Sequence, residues 1–360
     1  MTGQSASSEL EASLSKADYD ALKAELSFAP SAALSTLTLV VHVSLLALGL
    51  HLLLRGGLVP YLAAQLLLPI VFFQAFSLLH DCGHGSFARA RGWNTFVGHC
   101  ASVLCFMPYF PWKYIHTEHH VWAGNVDRDP GLALVRRARD TQKLPWLITT
   151  AWRTWLPLGS FAQHVVYWSY PLTARGSGKL QAAQRWRCAA SVALLIAAYV
   201  GLPLALPSLF TLRNFAPAIF LYLMLVELVN LPHHVGLTGY QEKLPLWKQH
   251  LPTRSCNYPP IVSELLVLNF NFHIEHHLFP SLPWYRLRSA HHRVRAKLAT
   301  NYREANGLDW HRVARGQQLL DVLAGSQAIS ASADTRATPS HRPDGRVRVA
   351  GARHDWSKPR

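Results

Sequence analysis

Four stretches of the chain are apolar and almost free of charge. Residues 35–54 (STLTLVVHVSLLALGLHLLL) carry only His42 and His51 as titratable groups, and residues 58–79 (LVPYLAAQLLLPIVFFQAFSLL) carry no charge. Each has roughly the ~20 residues that a helix needs to span a bilayer. Arg55, Gly56 and Gly57 between them read as a tight turn, so the two form a helical hairpin. Residues 188–210 and 215–231 form a second pair, joined at Thr211–Asn214. Its second member holds Glu227, an ionisable residue within a span: a functional candidate or a residue at the interface. Buried helix pairs of a soluble protein are the alternative, and two hairpins with nearly charge-free interiors favour spans. Two further apolar stretches, 96–110 and 146–170, are shorter or are broken by charge, Pro and Gly. They read as lying in the interface.

Charge then orients the hairpins. The turns hold one Arg each, Arg55 and Arg213, whereas residues 80–187 hold 13 Lys/Arg and residues 235–322 hold 11. Positive charge stays on the cytoplasmic side, so both basic segments and both termini are expected there. Residues 1–34 read as a cytoplasmic N-terminal segment, 35–322 as the membrane domain, and 323–360, rich in Ala, Ser, Arg and Pro, as a disordered basic tail. No secretory signal is visible. The net charge of +15 fits this topology and needs no nucleic acid as partner. Five Cys, an odd number, read as free thiols, Cys100 and Cys105 among them.

The 20 histidines are the compositional anomaly, and they cluster. His80-Asp-Cys-Gly-His84 follows the second span. His116-Thr-Glu-His119-His120 and His273-Ile-Glu-His276-His277 lie in the basic segments, and His233-His234 ends the fourth span. Residues three and four apart share a helix face, so each box is expected to offer its two or three imidazoles to one point. Neutral imidazole is a metal ligand. Two from box one, three from each HxxHH box and one from the span end make nine nitrogens, about right for two ions. Structural zinc more often uses Cys. His42, His51 and His99, in or beside apolar segments, read as packing residues, and His164 and His250 have no partner at ligand spacing. His291 and His292 look like part of a basic surface helix.

HDCGHGSF (80–87), HTEHH (116–120) and NFHIEHHLFP (271–280) resemble the three histidine boxes of the membrane fatty acid desaturase family, over roughly residues 35–300. The resemblance implies an all-α integral membrane protein. Four transmembrane helices in two hairpins would carry a cytoplasmic helical cap that holds the histidine-box metal site. It implies two iron ions, with dioxygen as co-substrate, ligated by His80, His84, His116, His119, His120, His234, His273, His276 and His277. Asn230, four residues before His234, would bind through water, and His233 is the competing ligand. Pro232 lies between Asn230 and His234 and could disturb the helix they share. Asp81, Glu118 and Glu275 are candidate acceptors for ligand N–H groups, with Asp127 and Asp129 as further candidates.

The implied reaction introduces a double bond into a fatty acyl chain, using two electrons from a separate protein. Ferredoxin and cytochrome b5 are the family's donors, and the chain shows no haem, flavin, nicotinamide or iron–sulfur motif of its own. A basic cytoplasmic face would attract such acidic donors. HDCGHGSF is most like acyl-lipid desaturases of the delta-12 or omega type. The third box is nearer to front-end or sphingolipid desaturases. A related hydroxylase or ketolase acting on a carotenoid, sterol or alkane remains the alternative, with a non-enzymatic metal or haem membrane protein behind it.

Overall fold

The computed structural model describes residues 14–141, 143–173 and 180–323. Nearly all of the expected basic tail lies outside the described residues. The helices in chain order are α1 (Lys16–Glu25), α2 (Ala32–Leu54), α3 (Leu58–His84), α4 (Arg91–Cys105), α5 (Tyr109–Trp122), α6 (Ala133–Thr141), α7 (Trp146–Arg153), α8 (Leu158–Thr173), α9 (Ala182–Ala205), α10 (Leu212–His234), α11 (His273–Leu278), α12 (Trp284–Leu298), α13 (Gly307–Arg315) and α14 (Leu319–Leu323). β1 (Ser255–Cys256) and β2 (Glu304–Ala305) pair in parallel. Four helices, α2, α3, α9 and α10, are long and apolar enough to cross a membrane.

α2 begins on Ser31, whose hydroxyl accepts from the Leu34 amide. It ends before Gly56 and Gly57, whose φ angles of 67° and 85° give the turn that glycine adopts without strain. α3 does not stop at Leu79. It runs 27 residues to His84, about 40 Å at 1.5 Å per residue, and so overshoots a hydrocarbon core of about 30 Å. Box one therefore rides on the last turns of this long helix instead of following it. Gly85, at φ 73°, ends the helix, and its amide reaches back to the Asp81 and Cys82 carbonyls.

α3 is the hub. Leu68, Phe72, Phe73, Phe76, Leu78 and Leu79 are buried between α2, α4 and α10. α2 and α3, which follow one another in the chain, pack side by side. α9 and α10 share a short connection, but α9 packs mainly on α4, α5 and α8, and α10 on α3. The outer faces leave Leu37, Val43, Leu58, Leu66, Ile196 and Val200 exposed, a spread of apolar surface suited to lipid.

The stretch at 96–110 does not lie flat. α4 runs back along α3 until Phe106 meets Phe72, ring centroids 5.4 Å apart, twelve residues or about 18 Å before His84. α5 then returns, bringing His120 to within 4.8 Å of His84, ring centre to ring centre. The two helices thus form a pair whose outer ends lie near the His84 end of α3. Its turn leaves helix-end carbonyls in apolar surroundings, where each needs a donor. The Cys105 carbonyl takes Tyr222 Oη (2.9 Å) and His164 Nε2 (3.3 Å), Phe106 takes Trp168 Nε1 (2.9 Å), and Val103 takes Tyr199 Oη (2.8 Å). His164 is a backbone cap. The 146–170 stretch breaks into α7 and α8, as its charge and Pro suggest.

Pro232 does not disturb α10, which stays helical to His234. A proline leaves the carbonyl four residues earlier without its N–H. For Pro217 that carbonyl, Arg213 O, takes Tyr61 Oη at 2.8 Å; for Pro232 it is Leu228 O, which takes His311 Nε2 at 2.9 Å.

Part of the N-terminal segment is structured. Tyr19 of α1 stacks on Phe279 at 5.2 Å, and Asp18 and Glu25 pair with Lys297 and Arg293 of α12. The acids of α1 thus neutralise one face of α12. His291 is not on that surface: it is buried on the opposite face, and only His292 is exposed. The contiguous Arg and Lys around the pair hide the amphipathic period.

Candidate metal centre

α3, α5, α10 and α11 bring the expected nine imidazoles together as two groups. His80, His84, His116, His120 and His276 form one; His119, His234, His273 and His277 form the other. Within each group, one ring nitrogen from every residue lies within 4.8 Å of all the rest. The boxes therefore do not each converge on one point, as residue spacing suggested. Each HxxHH box divides. Its i, i+4 pair (His116 and His120, or His273 and His277) turns to one group and its remaining histidine to the other. The helix explains this: successive residues differ by about 100°, so His119 and His120 diverge. α5 and α11 each straddle both groups.

The second group shows what the rings require. His119 Nδ1 donates to Asp129 Oδ1 at 2.9 Å, and His234 Nδ1 donates to the Pro252 carbonyl at 3.0 Å. A carboxylate and a carbonyl only accept, so both Nδ1 atoms carry hydrogen. In neutral rings each Nε2 is then a bare lone pair. Those two Nε2 atoms are 3.2 Å apart, and His234 Nε2 is 2.8 Å from His273 Nε2. Lone pairs converging at such distances repel unless a cation sits among them. Buried His84 Nε2 and His277 Nε2 have no hydrogen-bond partner. The first group repeats the crowding: His80 and His276 approach to 3.0 Å, His120 and His276 to 2.9 Å, His116 and His120 to 3.1 Å, always through Nε2.

Burial, then the neighbouring imidazoles, hold His116, His120, His273, His276 and His277 well below the usual imidazole value, so they keep lone pairs to offer. Neutral imidazoles without thiolates suit iron, zinc, copper or nickel.

Asp129 is the acid that holds a box histidine in place. Burial alone would raise its carboxyl. Hydrogen bonds from His119 Nδ1 and the Gly131 amide oppose that and hold it below the usual carboxylate value. It also caps the turn at 130–132. Asp81 Oδ2 accepts the Trp284 amide at 3.1 Å, while its Oδ1 stands 3.8 Å from His80 Nδ1, beyond a hydrogen bond. Glu275 faces away from the imidazole groups: its carboxylate takes Tyr302 Oη (2.7 Å), Ser255 Oγ (2.9 Å) and His291 Nδ1 (3.1 Å). Glu118 is half-buried on α5, two residues and so about 200° from His116. Glu227 pairs with Arg315 at 2.8 Å.

Asn230 lies one turn before His234 on α10, its Nδ2 donating to the Val226 carbonyl at 2.8 Å. His233 belongs to neither group. Its ring stacks on His273 at 4.2 Å and 10°, with neither nitrogen partnered. Gln249 had no signal in the sequence: its Oε1 meets His277 Nδ1 at 3.3 Å while its Nε2 donates to the His120 carbonyl at 3.1 Å. The Pro252 carbonyl was equally hidden, since any residue supplies a carbonyl.

An apolar cavity of about 540 Å³ lies at the level of the α4–α5 turn, lined by Phe106, Phe161, His164, Trp168, Tyr199 and Leu223 among others. Leu223 shares its helix face with Glu227, Asn230 and His234, each three or four residues on.

Residues 56–307 match the family described as fatty acid desaturase. An omega-3 fatty acid desaturase of the endoplasmic reticulum from Vigna radiata is 28% identical over 257 residues, covering 65% of this chain and 64% of that protein. An sn-1 acyl-lipid omega-3 desaturase (ferredoxin) from Synechocystis is 26% identical over 260 residues, covering 67% of this chain and 68% of that protein. An acyl-lipid omega-3 desaturase (cytochrome b5) of the endoplasmic reticulum from Arabidopsis thaliana is 29% identical over 266 residues, covering 68% of this chain and 65% of that protein. The chain thus spans less than two thirds of the Vigna and Arabidopsis proteins.

Proposed function

The chain belongs to the fatty acid desaturase family, and on that premise we propose that it is a membrane-bound di-iron oxidoreductase that introduces a double bond into a fatty acyl chain, using dioxygen and two electrons from a separate donor protein. The observation that carries this reading is the division of nine imidazoles into groups of five and four whose lone pairs converge. A two-ion, all-histidine centre accounts for that convergence. Iron bound there would supply the redox chemistry for taking hydrogen from an unactivated C–H bond, which no side chain can perform.

The protein's own groups hold and orient. Asp129, the Pro252 carbonyl and Gln249 fix the tautomers of His119, His234 and His277, so that Nε2 faces inward. Asn230, one turn before His234 on the same helix face, would bind to the second group through water. The exposed apolar faces of the four long helices suit a bilayer, and the apolar cavity beside Leu223 has the chemistry to take an acyl chain. The Lys and Arg of the two basic segments support a cytoplasmic orientation of the centre and the termini. Given the relatives, the substrate is an acyl lipid and the donor is ferredoxin or cytochrome b5. Hydroxylation or ketone formation draws no support from those relatives.

Asp129→Ala is expected to lower iron affinity or turnover by roughly 10–100-fold, the usual cost of losing a ligand's orienting partner. Asp129→Asn, which keeps an oxygen acceptor, should lose less. Iron content and product yield of the purified variants check this, and equal behaviour of the two would remove the orienting role.

The direct experiment expresses the full chain in cells supplied with ferredoxin or cytochrome b5, locates new functional groups in the lipids by mass spectrometry, and measures bound metal. A new double bond with two irons per chain is expected. A hydroxyl or keto product, an unchanged lipid profile with both donors, or zinc in place of iron would overturn the reading.

A further inference from the structure

The helix that carries His234 is held by residues beyond the desaturase match. That match ends at residue 307, where α13 begins. Two side chains of α13 reach α10. Arg315 Nη2 meets Glu227 Oε1 at 2.8 Å, and its guanidinium lies 4.6 Å from the ring centres of both Trp152 and Trp155. The other Glu227 oxygen accepts the Ser160 amide at 3.2 Å.

The second contact fills a specific vacancy in the helix. Pro232 has no N–H, so the Leu228 carbonyl lacks its helical donor. His311 Nε2 lies 2.9 Å from that oxygen. A carbonyl only accepts, so His311 donates, and its ring is fully buried. Burial lowers its pKa to about 4, which keeps it a neutral donor. Around it stand Trp310 and Ala314, which belong to an apolar cluster. A buried carbonyl without a donor is costly there. Between Leu228 and His234 lies the single stretch of helix from which Asn230 and His234 both project.

We propose that His311 is a positioning residue for the four-imidazole group, supplying from α13 the hydrogen bond that Pro232 denies to α10 and thereby fixing Asn230 and His234. The proposal rests on reading that group as a metal site.

The test compares full-length wild type, His311→Leu, His311→Gln and the double variant His311→Leu with Pro232→Ala. Two quantities are read: iron per chain, and amide hydrogen exchange of the segment from 228 to 235. His311→Leu should exchange about tenfold faster in that segment, for the loss of one buried hydrogen bond, and should fall from two irons towards one. His311→Gln keeps a side-chain N–H and should remain near wild type. The double variant should recover both readings, because alanine at 232 returns the helix's own N–H to Leu228. Recovery by removing a proline is not expected if His311 merely fills space. The proposal is overturned if His311→Leu keeps two irons or wild-type exchange, or if the double variant is no better than the single one. If His311→Leu does not fold, a folded double variant with two irons supports the proposal, and a double variant that also fails overturns it. A wild type without iron overturns the metal reading and the positioning role with it. Two irons in both wild type and His311→Leu overturn the positioning role alone.

Discussion

Alanine in place of His119 is expected to yield a chain that inserts into membranes, holds one iron instead of two, and makes no double bonds. His119 is the one residue of box two in the four-imidazole group, and Asp129 fixes its ring. Its loss leaves three nitrogens and a buried carboxylate held, among the described residues, only by the Gly124 and Gly131 amides. The fall in product should exceed the roughly 100-fold upper range for losing a mere orienting partner. The ring is partly exposed, so truncation does not hollow out the core around α3. Metal analysis and lipid product analysis of the same preparation check this. Two irons with a tenth or more of wild-type activity would remove His119 from the centre.

His233→Ala and His234→Ala are expected to part sharply, although the two histidines adjoin. His234 aims Nε2 at His119 and His273 while the Pro252 carbonyl holds its other nitrogen. Its replacement should abolish activity and empty the four-imidazole group. His233 instead stacks flat on His273, beside Phe270. Its replacement removes an aromatic contact of the kind worth about 0.5–1.5 kcal/mol beyond burial, so both irons should stay while the melting temperature falls. The contrast is read from iron content, product and thermal unfolding together. If both variants lose the metal, or neither does, the assignment of the ninth imidazole fails.

What the sequence offered about the centre was residue choice and phase. The i, i+4 spacing of His80 and His84, of His116 and His120, and of His273 and His277 is a property of one helix, and each of these pairs does turn to one group. Asn230 and His234 share a face for the same reason. The third member of each HxxHH box was misplaced because a 60° difference along a helix can still be read as one broad face. Only the opposing helices decide whether that face meets one group or two. Asp129 was visible merely as one of several acids, and nothing in its neighbourhood distinguished it from Asp127. Glu275, inside box three, looked like the better partner, yet Tyr302, Ser255 and His291 claim its carboxylate from behind.

By itself the sequence determined four long apolar helices and the nine histidines that the helices carry into two groups. These follow from local rules: apolar run length and the angle between residues on one helix. The tertiary structure alone decided which imidazoles face each other, that α4 and α5 dip back along α3, that α1 covers the basic face of α12, and that His311 reaches the carbonyl freed by Pro232. Those outcomes depend on helix crossings and on backbone carbonyls, the loop one at Pro252 and the helix-end one at Cys105, which carry no residue-type signature. A hydrogen bond to backbone leaves no mark on the sequence of the residue that accepts it.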